Sequence, residues 1–136
     1  MNIGEVAAAT GLPPKTIRYY ESAGLMDPPA RSSGNYRRYD ARHVETLRFI
    51  QHARQLGFAV KEVAALVALW RDKRRASADV RRLATAHLRD IDARIAELKR
   101  MRQSLERLIE RCHGDHRPDC PILDELAEVV DPSANR

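Results

Sequence analysis

The sequence lacks the features that define several large classes of proteins. It contains no run of about 20 apolar residues, which a membrane-spanning helix requires, so we predict no membrane span. No signal-peptide layout precedes the first helical pattern, and we expect a cytosolic protein. No nucleophile–base pair or phosphate-binding loop is present, so no enzyme is predicted. Two cysteines in a reducing compartment are more typical of metal ligands or redox-active thiols than of a structural disulfide.

Positive charge is concentrated in the earlier part of the chain. The net charge is +5 and the pI is near 9.6. The residues from Asp115 onward nevertheless carry six acids against Arg117 and Arg136. A basic surface on the preceding residues favours a polyanion as the partner over a small acidic substrate.

A long helical pattern from about residue 79 to residue 111 organises the chain, because no proline or glycine interrupts it. Its apolar residues recur mostly at steps of three and four, which places them on one helical face. The helix would be on the order of 50 Å long, too long for so short a chain to cover. We expect a parallel or antiparallel coiled coil with a second copy; the alternative is a helix folded back on its own domain. This apolar stripe comprises Val80, Leu83, Leu88, Ile91, Ile95, Leu98, Met101, Leu105, Leu108 and Ile109.

Two short helical patterns open the chain. The first runs over about Ile3–Thr10, where the Asn2 and Glu5 side chains can satisfy free amides at its start and Gly11 stops it. The second covers about Pro14–Ser22, because proline is tolerated at a first helical position. Two short helices joined by a tight turn are typical of a helix-turn-helix, which can read a DNA groove.

A β-hairpin is predicted next. Turn-forming residues at 32–35 precede the sequence Tyr-Arg-Arg-Tyr at 36–39, which indicates a small wing whose basic and phenolic groups can bond phosphates. Asp40 is expected to cap a third helix that reaches about Leu56. A fourth helix follows, with Ala59, a poor capping residue, at its start.

The helix-turn-helix and the wing together present basic and aromatic side chains. DNA binding needs cations for the phosphates and a rigid element for the groove. Scattered arginines alone would indicate a solvated surface, but their placement on these two elements favours DNA. The predicted DNA-binding residues are Lys15, Thr16, Arg18, Tyr19, Tyr20, Arg31, Tyr36, Arg37, Arg38 and Tyr39.

Two cysteines flank a loop near the end of the chain. Cys112 ends the long helix, and Cys120 directly precedes a short amphipathic pattern that begins at Pro121. Two thiolates joined by a loop could bind a soft monovalent ion in linear geometry, since thiolates select Cu(I)-like ions. His113 and His116 lie in the loop, so a tetrahedral Cys2His2 zinc site is an alternative. Two inert thiols, a redox disulfide and a small thiol oxidoreductase are further interpretations.

These residues together resemble the MerR family of transcription regulators, and closely its copper-sensing, CueR-like branch. The resemblance covers nearly the whole chain. Its family marks are IGEVAAATGL at 3–12, TIRYYE at 16–21, Gly24-Leu25 and NYRRY at 35–39. Its branch marks are SADV at 77–80 and the Cys112-to-Cys120 loop followed by Pro121-Ile122.

The resemblance implies a mainly α-helical homodimer. Residues 1–75 would form a winged helix-turn-helix DNA-binding domain, residues 76–111 a long antiparallel coiled-coil dimerisation helix, and residues 112–136 a metal-binding loop with a short helix. The resemblance also implies that the dimer untwists and bends promoter DNA, so that RNA polymerase can use a promoter with an over-long spacer. Cys112 and Cys120 are the implied Cu(I) ligands, with Ag(I) and Au(I) as mimics.

The resemblance gives a second meaning to Ser77. A serine at the start of a long helix is explained by N-capping alone. In divalent sensors of the family, however, a cysteine stands at this place and acts as a third ligand from the partner subunit. The serine therefore implies the monovalent branch, with Ser77 beside the metal rather than bound to it. We predict a Cu(I)-responsive activator of copper-homeostasis promoters; the main alternative is a regulator of this family that responds to zinc or another divalent metal.

Overall fold

The computed structural model describes residues 1–128, which form six α-helices and one two-stranded sheet. The predicted mainly α-helical fold with a small β-wing is confirmed. Residues 129–136, the end of the predicted 112–136 segment, lie outside the described residues. The elements are α1 (Ile3–Thr10), α2 (Pro14–Ser22), β1 (Ala30–Arg31), β2 (Arg37–Arg38), α3 (Ala41–Gln55), α4 (Val60–Arg71), α5 (Ser77–Arg111) and α6 (Pro121–Leu126).

Local capping determines where the first two helices begin and end. The Asn2 side chain accepts a hydrogen bond from the Glu5 amide at 2.8 Å, and the Asn2 amide donates to the Glu5 carboxylate at 3.1 Å. Gly11 ends α1 with φ at 75°, a left-handed conformation that costs glycine little. Pro14 occupies the first turn of α2. The predicted bounds of both helices are therefore confirmed.

Helices α3 and α4 begin in different ways. Asp40 caps α3 by accepting hydrogen bonds from the amides of Arg42 and His43. Ala59 has no side chain that can cap α4, and the Glu62 carboxylate instead accepts a hydrogen bond from the Ala59 amide at 2.8 Å. The predicted weak cap is thus compensated from within the first turn of α4.

The wing is a short antiparallel hairpin in which Arg31 pairs with Arg37. Its turn contains Asn35 at φ 62°, a left-handed conformation that asparagine tolerates better than most residues. The Ser32 amide donates to the Tyr36 carbonyl at 2.8 Å and closes the turn. The predicted wing is confirmed, and both arginines are held on neighbouring strands.

Helices α1, α2, α3 and α4 share one hydrophobic core with the chain segment that leads into the wing. Trp70 of α4 stacks on Phe49 of α3, with ring centroids 4.5 Å apart and an interplanar angle of 7°. Each large aliphatic side chain removed from water contributes roughly 1.5–3 kcal/mol before entropic costs. The fully buried side chains are Val6, Ile17, Leu25, Leu47, Ile50 and Val63.

The chain divides into an N-terminal unit, residues 1–87, and a C-terminal unit from residue 88 onward. Helix α5 runs through the division. Its first turns belong to the N-terminal unit, where Val80 and Leu83 are half-buried and His87 is buried. The division into domains at 1–75, 76–111 and 112–136 stays a prediction.

Most of the apolar stripe is exposed in the single chain. Seven of its members, from Leu88 to Ile109, expose 37–56% of their surface, whereas Leu108 is buried. A long apolar row differs from the scattered single apolar residues of an ordinary protein surface and marks a site of contact. Among residues 1–128, no helix is both long and apolar enough to cross a membrane.

Candidate functional site

Helix α2 separates its apolar side chains from its basic ones. Ile17 and Tyr20, three residues apart, are buried on one face of the helix. The side chains that point away from this face form an outer surface that carries positive charge. The outward side chains are the exposed Lys15, Arg18 and Tyr19 and the half-buried Thr16.

A shallow cleft of about 390 Å³ joins α2 to the wing. It brings Arg18 of α2 together with Arg31 and Arg37 of the two wing strands. Guanidinium groups bind phosphate oxygens in a bidentate fashion, so three of them around one concave surface suit a nucleic-acid backbone. The lining residues of this basic cleft are Asn2, Ile3, Arg18, Arg31, Asn35, Tyr36 and Arg37.

The wing directs its two consecutive arginines differently. Arg37 lines the basic cleft and Arg38 does not, because successive strand residues point to opposite faces. Arg31 donates to the Asn35 carbonyl at 3.4 Å, a long hydrogen bond that leaves its other N–H donors available. Tyr36 is 76% exposed. The wing therefore offers two cations and one phenol to a ligand in the basic cleft.

Two of the predicted DNA-binding residues belong to the core instead. Tyr20 is 8% exposed and Tyr39 is 3% exposed. Direct DNA contact by Tyr20 and Tyr39 stays a prediction, and in the single chain both rings are packed in the core. The Tyr20 ring packs into the core, because it lies on the same apolar face of α2 as Ile17. Tyr39 links the wing to the rest of the unit: its phenol donates to the Glu21 carboxylate, and its amide donates to the Met1 carbonyl at 2.7 Å.

The surroundings of Tyr39 hold its phenol in the neutral form. Burial, and then the neighbouring Glu21 carboxylate, raise the pKa of Tyr39 from 10.0 to about 12. Burial disfavours the phenolate, and the carboxylate both accepts a hydrogen bond from the neutral phenol and repels the charged one. Tyr39 is therefore a permanent donor to Glu21 near neutral pH.

The comparisons with known proteins agree with this geometry. The family model for the MerR HTH family regulatory protein matches residues 1–69, and a model described as MerR, DNA binding, matches residues 44–108. The HTH-type transcriptional regulator HmrR of Rhizobium leguminosarum bv. viciae is 54% identical over 128 residues, which cover 94% of this chain and 98% of that protein. The chain belongs to the MerR family.

Further relatives extend the match over the long helix and the loop. The HTH-type transcriptional regulator CueR of Salmonella typhimurium is 46% identical over 127 residues, covering 93% of this chain and 92% of the relative. The crystal structure of the regulator PbrR691 from Ralstonia metallidurans CH34 in complex with lead(II) matches with a TM-score of 0.83 at 33% identity, over 93% and 99% of the two chains. This MerR-family chain is a DNA-binding transcriptional regulator and not an enzyme, as predicted.

In this MerR-family chain the two cysteines lie at the ends of one loop in the C-terminal unit. Cys112 directly follows α5, and its amide donates to the Ile109 carbonyl at 3.1 Å. Cys120 is the N-cap residue of α6. Both are free, half-buried thiols. Between them, the Arg117 guanidinium pairs with the Asp115 carboxylate at 2.8 Å, so the middle of the loop has its own polar contact.

The other residues predicted at the metal site are His113, His116 and Ser77. His113 and His116 are exposed. Within residues 1–128, no three His, Cys, Asp or Glu ligand atoms that lie within 4.8 Å of one another include either cysteine. Ser77, the first residue of α5, is exposed and belongs to the N-terminal unit.

His87, which is buried in the N-terminal unit, was not predicted from the sequence. Its Nε2 donates to the Leu56 carbonyl at 2.8 Å, and its ring stacks on Phe58 with centroids 4.1 Å apart. His87 thereby attaches the first turns of α5 to the turn between α3 and α4. Its burial could have been predicted from its position four residues after Leu83, which is in step with the apolar stripe.

The role of Glu21 was likewise not predicted from the sequence. Its carboxylate accepts the hydrogen bond from Tyr39, which lies 18 residues later in the chain, and lies 3.7 Å from the Arg37 guanidinium. A contact between residues so far apart leaves no periodic or capping signal in the sequence.

Proposed function

We propose that this MerR-family chain is a Cu(I)-responsive transcriptional activator that binds promoter DNA as a homodimer. Ag(I) and Au(I) would be mimics, because a thiolate pair distinguishes soft monovalent ions only weakly. The response would be a change in the twist and bend of the DNA that lets RNA polymerase use copper-homeostasis promoters. The observation that carries the proposal is a pair of free, half-buried thiols flanking one loop, in a chain with a serine at position 77.

The DNA contacts are assigned to exposed side chains of α2 and the wing. The arginines of the basic cleft would bind phosphates, which position a protein on the duplex. The outward residues of α2 would face a groove, since a helix supplies the rigid element that groove recognition needs. The assigned residues are Lys15, Thr16, Arg18, Tyr19, Arg31, Tyr36 and Arg37.

The homodimer is assigned to the apolar stripe. An amphipathic helix gains most of its stability by packing its apolar face. Between Leu88 and Ile109 this face is exposed in the single chain except at Leu108. In an antiparallel pair, the loop after α5 of one protomer would lie beside the start of α5 of its partner. That arrangement would bring the partner's Ser77 close to the cysteine loop.

The metal site is assigned to Cys112 and Cys120. Their donor set fits a soft monovalent ion, because both ligands are sulfur and thiolates prefer such ions to hard ones. The bound ion would supply a soft, positively charged acceptor that joins the two ends of the loop. An aliphatic hydroxyl is a poor ligand beside thiolate, so the partner's Ser77 would cap its helix and shield the site from water.

The experiment is metal titration of the anaerobically purified protein, with transcription from a target promoter as the second readout. We expect one Cu(I) per cysteine pair and activation by Cu(I). Cys112→Ser and Cys120→Ser should each abolish the metal response and leave DNA binding intact, because the DNA-contacting residues lie in the N-terminal unit. DNA binding without metal serves as the folding control for both variants. A metal response that survives either substitution would contradict the assignment.

A divalent-metal regulator is the second candidate. The PbrR691 structure is in complex with lead(II) and is 33% identical to this chain. His113 and His116 would be the added ligands in a tetrahedral site for zinc. Wild-type activation by Zn(II) or Pb(II) equal to that by Cu(I) would favour this candidate. If the Cu(I) proposal holds, Ser77→Cys should add a third soft ligand and create a divalent response that the wild type lacks.

A further inference from the structure

Glu21 is an acidic residue that lies against the DNA-binding surface. Its side chain is 9% exposed. One carboxylate oxygen accepts the hydrogen bond from Tyr39, and the other lies 3.7 Å from Nη1 of Arg37. A buried carboxylate is strongly destabilising unless it is hydrogen-bonded and paired with a cation. Glu21 therefore draws the Arg37 guanidinium toward the base of the wing.

Arg37 keeps much of its binding capacity in this arrangement. Its side chain is 31% exposed and lines the basic cleft with Arg18 and Arg31. The 3.7 Å separation from Glu21 is longer than a hydrogen bond, so the ion pair leaves the guanidinium N–H donors available to a phosphate. The attraction restrains a long, flexible side chain without saturating it.

We propose that Glu21 is a positioning residue of the DNA interface, which holds Arg37 against the wall of the basic cleft in the orientation that meets a phosphate. The carboxylate itself contacts no DNA. Restraining a flexible side chain before binding lowers the entropic cost of ordering it in the complex. This inference rests on the proposed phosphate contact of Arg37.

The test uses the full chain and a random-sequence DNA duplex, because a phosphate contact acts on any sequence. Arg37→Ala should weaken binding about fivefold and reduce the salt slope of the affinity by about one. Glu21→Gln keeps an oxygen acceptor for Tyr39 and removes the charge, and it should reproduce both effects. The double variant Glu21→Gln/Arg37→Ala should bind no more weakly than Arg37→Ala alone. As the matched control, Glu45→Gln removes one charge from an exposed position on α3 and should leave the salt slope unchanged.

Four outcomes of the binding measurements on Glu21→Gln, Arg37→Ala and the double variant would overturn the inference, and they can be told apart. Tighter binding by Glu21→Gln would mean that Glu21 competes with phosphate for Arg37. Losses that add in the double variant would mean that Glu21 acts independently of Arg37. If Glu21→Gln binds DNA like the wild type while Arg37→Ala binds more weakly, the inference fails and the phosphate contact of Arg37 stands. If Arg37→Ala binds DNA like the wild type, both the inference and the phosphate contact of Arg37 fail.

A second variant separates positioning from folding, should Glu21→Gln melt at a lower temperature. Tyr39→Phe removes the hydrogen bond and keeps the charge of Glu21 beside Arg37. It should retain the wild-type salt slope. If Tyr39→Phe lowers the slope as much as Glu21→Gln does, Glu21 supports only the fold of the wing and the inference is overturned.

Discussion

The N-terminal and C-terminal units treat their apolar residues in opposite ways. In the N-terminal unit, six large side chains are fully buried within one chain. In the C-terminal unit, seven of the eight members of the apolar stripe, all except Leu108, are exposed on a single helix. A helix draws most of its stability from packing its apolar face. The first unit is therefore stabilised by its own core, whereas the second would gain stability from a partner that covers the stripe.

Leu98→Glu should have the largest effect, and it acts on the C-terminal unit. In the proposed dimer it would bury an unpaired carboxylate in each protomer, at a cost of roughly 3–5 kcal/mol per site. Sedimentation should show a monomer or an unfolded chain. Gln103→Glu adds the same charge to α5 outside the apolar stripe and should remain like the wild type. A folded Leu98→Glu dimer with native DNA affinity would show that the stripe faces solvent.

Ile17→Ala tests the core of the N-terminal unit. It leaves a cavity in the N-terminal core and should lower the free energy of unfolding by roughly 2–5 kcal/mol, while Ile17→Val should cost about 0.5–1.5 kcal/mol. Thermal melting measures both losses. Sedimentation below the melting temperature should still show the wild-type assembly. A variant that lost its assembly without losing stability would contradict the separate roles of the two units.

Arg18→Ala probes the surface of the N-terminal unit rather than its core. Loss of one phosphate contact should weaken binding about fivefold on specific and random duplexes alike and lower the salt slope by about one. The melting temperature should not change, because Arg18 is exposed. Arg38→Ala is the control, since Arg38 lies outside the basic cleft; its effect on the slope should be smaller. Equal slopes for wild type and Arg18→Ala would exclude the contact.

The smallest expected effect concerns the pH dependence of the wing. The pKa of Tyr39 is raised from 10.0 to about 12. The neutral phenol therefore contributes stability that is fully present below pH 10 and is lost as the pH rises through 12. Tyr39→Phe should be less stable than the wild type near neutral pH by about 1 kcal/mol. The gap should narrow above pH 10.

Thermal melts at several pH values measure this narrowing. Tyr36→Phe provides the reference, because the Tyr36 ring is exposed and its loss should change stability little at any pH. A gap between wild type and Tyr39→Phe that stays constant across the alkaline range would contradict the buried donor role of Tyr39.

The helices were predictable because their boundaries depend on nearby residues. Asn2 and Glu5 are three positions apart, and Gly11 directly follows the helix that it ends. The hairpin followed from a turn-forming cluster beside paired basic residues. These bounds thus came from interactions within about one helical turn or one hairpin.

The site was predictable only where exposure follows from an element's periodicity. Arg18 faces outward because Ile17 and Tyr20 define the inner face of α2. Tyr39 was assigned to the DNA surface although it is buried, because its partner Glu21 lies 18 residues away and β2 is too short for an alternating pattern. His87 was missed because its partner Leu56 lies 31 residues away. Such long-range pairings depend on how the elements pack, and a single sequence carries no local record of them.

The stacking of Trp70 on Phe49 gives the N-terminal unit an optical signal of its own. Trp70 is the only tryptophan in the chain and lies in the N-terminal unit, so intrinsic fluorescence follows that unit alone. Far-ultraviolet ellipticity, in contrast, reports the helices of both units, including the 35 residues of α5. Fluorescence and ellipticity recorded during one denaturation will coincide if the chain melts as a single cooperative system and will separate if the long helix frays or dissociates first.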